Sequence, residues 1–343
     1  MEFFGYRRSR SESDIIFRLL DRQALCRTNL FLEAIVTLPI HAFFKGEIVP
    51  YENAKVGVLT HALNYGTAVF GGLRGYWNES QQQMFIFRPF DHFRRFLSSA
   101  RFLMMDFAET PESLTQKTIE LLRMEGYQRD VYIRPLAYKA DEMIGVKLHG
   151  LHDEFSIVVL PFEKYVPHDT NAHVTISSWR RVDDNMIPAR GKISGAYVNS
   201  ALIKSDALNA GFDEALVLNQ DGHLSEGSAM NIFLVRDGVV FTPPVTENIL
   251  EGVIRRTVIE LLRSELGISV VERTIDRTEV YVCDEVFMTG TAAEVVAVTR
   301  VDFRSVGTGL MGPVTEKLKG LFGLVAHHEV EKFHSWNVPV YPG

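Results

Sequence analysis

The chain reads as an α+β protein built of two subdomains. Two Asp-Gly pairs, Asp221-Gly222 and Asp237-Gly238, each stand between alternating apolar residues. That is a hairpin pattern, because tight hairpin turns need positive φ at their centre. Other stretches place apolar residues at helical spacing and end in a glycine stop signal, as at Gly126, Gly211 and Gly267. Hairpins and helices are mixed without a regular β-α-β alternation, which argues against a doubly wound parallel sheet.

Taken in order, Phe43 to Pro50 predicts extended chain around a Lys45-Gly46 turn. Val69 to Trp77 and Met84 to Arg88 predict further strands. Residues 90–106 carry Phe93, Phe96, Leu97, Ala100, Leu103 and Met104 at helical spacing. Thr110-Pro111 opens a second helix, with proline at its first position, and Gly126 closes it. Val131 to Tyr138 and Phe155 to Phe162 are strands rich in branched and aromatic residues. Residues 163–172 are polar, contain Pro167 and read as an interdomain linker. A strand at 173–179, a loop around Lys192 and a helix over 197–210 follow. The two hairpins come next, then a helix over 252–266 with Ile254, Val258, Leu261, Leu262 and Leu266 facing inward. Strands at 268–275, 284–289 and 294–301 precede a last helix from about 313.

A chain of 343 residues has room for two domains and a large core. Its 46% hydrophobic and 23% charged residues are those of an ordinary globular protein. The net charge of -7 gives no electrostatic reason to expect nucleic acid. No apolar run approaches the roughly 20 residues needed to cross a bilayer, so no membrane partner is expected. Cys26 and Cys283 are the only cysteines, which points to a reducing, cytoplasmic setting. Residues 1–40, arginine-rich but also acidic, read as an N-terminal extension outside the catalytic core.

Lys192 lies in Ala189-Arg190-Gly191-Lys192-Ile193-Ser194-Gly195-Ala196-Tyr197. Small neighbours let a planar ring approach the backbone closely. An amine placed there can form a Schiff base with an aldehyde cofactor.

Nine stretches in register, from Ala42 to Glu294, resemble the fold-type IV pyridoxal-phosphate aminotransferases, and most closely the branched-chain amino-acid enzymes. They include His61-Ala62-Leu63-Asn64-Tyr65-Gly66-Thr67, Val69-Phe70-Gly71-Gly72-Leu73-Arg74, Tyr132-Ile133-Arg134-Pro135-Leu136, the Lys192 run, Ser225-Glu226-Gly227 and Met288-Thr289-Gly290-Thr291-Ala292-Ala293-Glu294. The resemblance implies the two-domain fold of that class: a small α/β domain over 41–162, the linker 163–172, and a large cofactor-binding domain over 173–343. It implies pyridoxal 5'-phosphate as cofactor, held as an aldimine on Lys192. Glu226 would meet the ring nitrogen and Tyr197 the phenolic oxygen. Arg95, the backbone of Val253 and Ile254, and Thr291 would take the phosphate. Tyr65, Phe70, Tyr132 and Tyr165 would wall the substrate pocket, with Val146 from a neighbouring subunit. Arg74, Arg134 and the Thr291-Ala292 turn would manage carboxylates. A homodimer or higher homo-oligomer is implied, acting on amino acids and 2-oxo acids.

Three positions depart from the family pattern: Ile254 replaces a frequent threonine, Gly71 a glutamate, and Phe162 a tryptophan. Gly71 is expected to leave extra room for bulkier amines. The leading function is transamination of L-branched-chain amino acids with 2-oxoglutarate. Alternatives are a D-amino-acid or (R)-amine aminotransferase, an aminodeoxychorismate lyase, or a relative that only binds the cofactor. The G-x-G-x-x-G run Gly307 to Gly312 is read as a turn before a helix, with no apolar strand after that helix to complete a dinucleotide site. His327 and His328 lack metal-ligand spacing and read as solvated, and no metal is expected.

Overall fold

The Lys45-Gly46 turn does what its residues suggest, with φ of 50° and 89°. It joins β1 (His41–Phe44) to β2 (Glu47–Pro50) as an antiparallel hairpin. This computed structural model describes residues 38–162 and 168–342. Both sheets lie in one compact unit that begins at Pro39. Of the extension over 1–40, residues 1–37 lie outside the described residues, as does Tyr165.

The first sheet adds β3 (Ala68–Phe70), β4 (Leu73–Asn78), β5 (Gln83–Phe87), β6 (Val131–Lys139) and β7 (Asp153–Pro161). The expected strand over Val69 to Trp77 is thus two strands, broken at Gly71-Gly72. A Cβ on Gly71 would lie 2.5 Å from Pro135 Cγ, and one on Gly72 2.2 Å from the Tyr132 hydroxyl. The chain is kept bare there so that β6 can pass against it. The helices Pro89–Phe102 and Pro111–Glu125 cover this sheet and bury Phe93, Phe96, Leu114 and Leu122. The first ends before Leu103 and Met104, short of the expected 106, and Met104 turns away with φ of 53°.

The second sheet begins with β8 (Ala172–Arg180) and takes the two Asp-Gly hairpins. These are β9 (Glu214–Leu218) with β10 (Leu224–Gly227), and β11 (Asn231–Arg236) with β12 (Val239–Thr242). In the second turn both Asp237 and Gly238 have positive φ, at 51° and 75°. Three strands follow: β13 (Val270–Glu272), shorter than expected, then β14 (Glu285–Gly290) and β15 (Glu294–Val301). The two-residue β16 (Arg304–Ser305) pairs with β15. Helix Val253–Ser264 packs Val258, Leu261 and Leu262 into a core shared with Phe233 and Phe287.

Two readings of the C-terminal region are corrected. A strand does follow the last helix (Pro313–Ala326): β17 (Asn337–Pro339) returns to the first sheet and pairs antiparallel with β5. His327 and His328 are packed, not solvated. His327 lies edge-on to Tyr76 at 5.0 Å, and His328 stacks on Phe85 at 3.9 Å and on His334 at 3.6 Å. Among the described residues no group of three metal-ligating side chains occurs, and no helix is long and apolar enough to cross a membrane.

Candidate active site

Residues 192–193 enter the first sheet beside β3. Phe70 N–H donates to the Lys192 carbonyl at 3.0 Å, and Lys192 N–H donates to Ser99 Oγ at 3.1 Å. Ser99 in turn donates to the Arg95 carbonyl at 2.9 Å. The lysine backbone is therefore clamped between β3 and helix Pro89–Phe102. Just beyond it, Gly195 N–H donates to Gly66 O at 3.2 Å. Gly66 has φ of 68°, and a Cβ there would meet Gly195 Cα at 2.8 Å, so this crossing requires glycine.

The Lys192 side chain enters a cavity of about 690 Å³. That is the size of a small-molecule site. Lys192 Nζ donates to the Tyr197 hydroxyl and stands 4.6 Å from the Phe70 ring centre and 4.7 Å from that of Tyr197. Burial, together with the positive charges of Arg95 and Arg134, holds this amine well below the ordinary lysine range. Burial pushes the Tyr197 phenol up. Both effects favour an uncharged amine beside an uncharged phenol.

Glu226, on β10, is only 3% exposed. Arg181 Nη2 lies 3.0 Å from its Oε1. Asn231 Nδ2 and Leu250 N–H donate to its Oε2 at 3.1 and 3.2 Å. Burial raises its pKa despite Arg181. Arg181, Asn231 and Leu250 were not singled out from sequence. Arg181 and Leu250 are remote from Glu226 in the chain, and only strand pairing assembles the group.

Helix Val253–Ser264 starts on this cavity. Its N-cap is Gly252, and no side chain caps its free N–H groups. Arg95 lies across the same end, donating to Glu251 O at 3.3 Å. An uncapped helix start with an arginine beside it suits a phosphate. Ile254 lines the cavity but carries no hydroxyl, so only its backbone is available.

The structure gathers Arg95, Phe70, Tyr132, Arg134, Lys192, Tyr197, Glu226, Val253, Ile254, Thr291 and Ala292 on this one cavity. The Arg134 guanidinium lies over the rings of Phe70 (4.7 Å) and Tyr132 (5.1 Å) and donates to the Tyr132 hydroxyl at 3.1 Å. Other expectations are corrected. Arg74 does not face the cavity. It is 2% exposed and lies behind Phe162, with Nη2 donating to the Phe162 carbonyl at 3.2 Å and pairing with Asp130 at 3.3 Å. Tyr65 is off the cavity wall, its hydroxyl accepting from Gly145 N–H at 3.0 Å. Val146, expected to serve a neighbouring subunit's pocket, is 77% exposed on the surface of this chain. Gly71 opens no extra room, because Pro135 fills the space a side chain would need.

An aromatic ring bearing a phosphate and an aldehyde fits this donor set. The uncapped helix start with Arg95, the Lys192 amine and the buried Glu226 are all present on one cavity.

Residues 69–301 match the family model for amino-transferase class IV. The chain is 45% identical over 300 residues to a probable branched-chain-amino-acid aminotransferase of Aquifex aeolicus, covering 88% of this chain and 96% of that one. It resembles the branched-chain aminotransferase of the thermophilic archaeon Thermoproteus uzoniensis, solved with norvaline, with TM-score 0.84, 39% identity, and 88% and 100% of the two chains covered. The Thermobaculum terrenum branched-chain enzyme in its PLP form gives TM-score 0.85 at 36% identity, covering 89% and 99%. The chain belongs to the class IV aminotransferase family.

Proposed function

We propose that this class IV aminotransferase moves the amino group between L-branched-chain amino acids and 2-oxoglutarate, using pyridoxal 5'-phosphate. The observation that carries the reading is the Lys192 amine, held against Tyr197 on the same cavity as the buried Glu226. When bound, the cofactor supplies an aldehyde that carries the amine and a ring that accepts electron density.

The chain's own residues do the rest. Arg95, the N–H groups of Val253 and Ile254, and Thr291 hold the phosphate. Glu226, fixed by Arg181, Asn231 and Leu250, would face the ring nitrogen and keep a proton on it. Lys192 would take and return the substrate proton, a role its lowered basicity favours. Phe70, Tyr132 and Phe162 offer an aliphatic side chain an apolar wall. Arg134 rests on two of those rings and meets the second carboxylate of glutamate in the other half-reaction.

The chain acts as a homo-oligomer in the cytoplasm. Val58, Leu63, Ile144 and Val146 are 62–82% exposed, and the His61 contact to Gly145 draws their two segments together. A second copy covering this face would bury that patch, and Tyr65 and Val146 stand on it. A buried, free Cys283 suits a reducing compartment.

The test is Lys192→Ala. It keeps the fold, loses the cofactor absorbance that L-leucine shifts, and loses transamination. Retained turnover in the purified variant would overturn the reading, and sedimentation as a monomer would overturn the oligomer.

A further inference from the structure

A second cavity of about 510 Å³ lies on the outer side of Arg95 and of the Gly252–Val253 helix start. Arg95, Gly252 and Val253 border both cavities, so one arginine and one helix end stand between them.

The second cavity is strongly cationic. Its walls carry six arginines, at 94, 95, 190, 255, 256 and 263, against three carboxylates, Asp91, Glu251 and Glu272. The acids do not neutralise the set. Asp91 is shared by Arg94 at 3.0 Å, Arg256 at 2.8 Å and also Arg88 at 2.8 Å. Glu251 pairs with Arg190, which also lies 3.8 Å from Asp184, and Glu272 pairs with Arg255. Among the described residues, Arg263 meets the carbonyl oxygen of Val270 and no carboxylate, and Arg95 is shared with the cofactor's phosphate position. Arg255 is 6% exposed, and its Nε has no hydrogen-bond partner among the described residues. Guanidinium groups gathered around one cavity repel one another, and an anion seated among them relieves that repulsion. In a chain of net charge -7, the concentration of guanidinium groups here is a property of this cleft and not of the whole surface.

We propose that the cleft is a binding site for a small multivalent phosphate, separate from the cofactor's own phosphate position. Planar guanidinium forks match phosphate oxygens in pairs, and the cavity volume suits a diphosphate or a small phosphorylated metabolite. The site goes beyond the catalytic reading and does not need it.

The probe is inorganic pyrophosphate, titrated calorimetrically at low ionic strength into the full chain saturated with pyridoxal 5'-phosphate. One site per chain is expected, weakening as salt is added. In the variant Arg94→Gln/Arg256→Gln, both positions being exposed and outside the catalytic set, affinity falls by roughly tenfold or more, the loss of at least one charge-assisted contact. Asp91→Asn releases Arg88, Arg94 and Arg256 from their shared acid and strengthens binding. Catalytic rates without pyrophosphate stay unchanged in the arginine variant. No isotherm on the saturated protein would overturn the proposal, because the anion would then need the cofactor position. Equal affinity in wild type and the arginine variant would overturn it as well.

Discussion

Arg181→Met removes one side of a buried ion pair and leaves the other in place. The two side chains are 8% and 4% exposed and 3.0 Å apart. Truncating one partner of such a pair costs about 3–5 kcal/mol, because the remaining charge is buried without its counter-ion. Glu226 keeps two donors, Asn231 and Leu250 N–H, which places the loss toward the lower end. Arg181 also gives up its Nε bond to Asn248 O, adding roughly 1 kcal/mol. The expected total is about 3–4 kcal/mol near pH 7, read as a shift in the urea midpoint.

The deficit must also depend on pH in one direction. Burial already raises the Glu226 pKa in the folded protein, and loss of Arg181 raises it further. A carboxyl with a raised folded pKa is harmless while protonated in both states, below its unfolded value of about 4.3. As pH climbs above that value, the unfolded chain ionises and the folded one resists, so stability falls until the folded pKa is passed. The variant's deficit therefore grows between pH 4.5 and pH 7.5. In Arg181→Met/Glu226→Gln the added pH dependence disappears, and the double-mutant cycle returns a coupling of about 1 kcal/mol or more. A loss below about 1 kcal/mol, or one equal at both pH values, would refute a buried carboxylate held by Arg181.

Gly71→Ala forces a methyl against the rigid Pro135 ring and costs about 1–3 kcal/mol; an unchanged melting curve would show that β3 and β6 can part. Arg95→Ala removes a charge-assisted contact worth about 1.5–3 kcal/mol, so cofactor absorbance should fall on dialysis while wild type keeps it. Arg134→Gln should slow the 2-oxoglutarate half-reaction more than the L-leucine half-reaction in stopped-flow traces, and equal slowing would remove Arg134 from carboxylate recognition.

What was legible in the sequence was what local chemistry dictates. Asp237-Gly238, Gly126 and Thr110-Pro111 each force a conformation through their own backbone preferences, and those turns and helix ends stand where expected. Lys192 and Tyr197 are five residues apart on one loop-to-helix turn, so their meeting needs no long-range information. Glu226 was legible as a residue, but its environment was not. The Arg181, Asn231 and Leu250 groups that hold it are brought in by the chain just after β8, by β11 and by the loop after β12. Arg74 misled for the same reason: an arginine inside a site motif looks functional, yet the strand pairing of β4 turns it behind Phe162. Gly71 misled in the opposite sense. A small residue suggests space, and only the packed structure reveals that Pro135 already occupies it.

The charge pattern of the catalytic cavity argues for its substrate class. Among the described residues, five cationic side chains line it, Arg95, Arg134, Arg181, Lys192 and Lys204, against the single carboxylate of Glu226. Arg181 is matched by Glu226, and Lys204 by Glu214 at 2.9 Å. Lys192 is driven toward neutrality by burial and by its cationic neighbours. Two positive charges, Arg95 and Arg134, are left without a carboxylate partner among the described residues. Arg95 lies at an uncapped helix start, where a phosphate is best held. Arg134 rests on aromatic faces, a setting that tolerates a guanidinium without an anion because the ring faces are themselves negative. It can therefore stand idle when the ligand's side chain is aliphatic and act when that side chain ends in a carboxylate. A simple amine substrate would never call on that charge, whereas alternation between a branched-chain amino acid and glutamate uses both of its states.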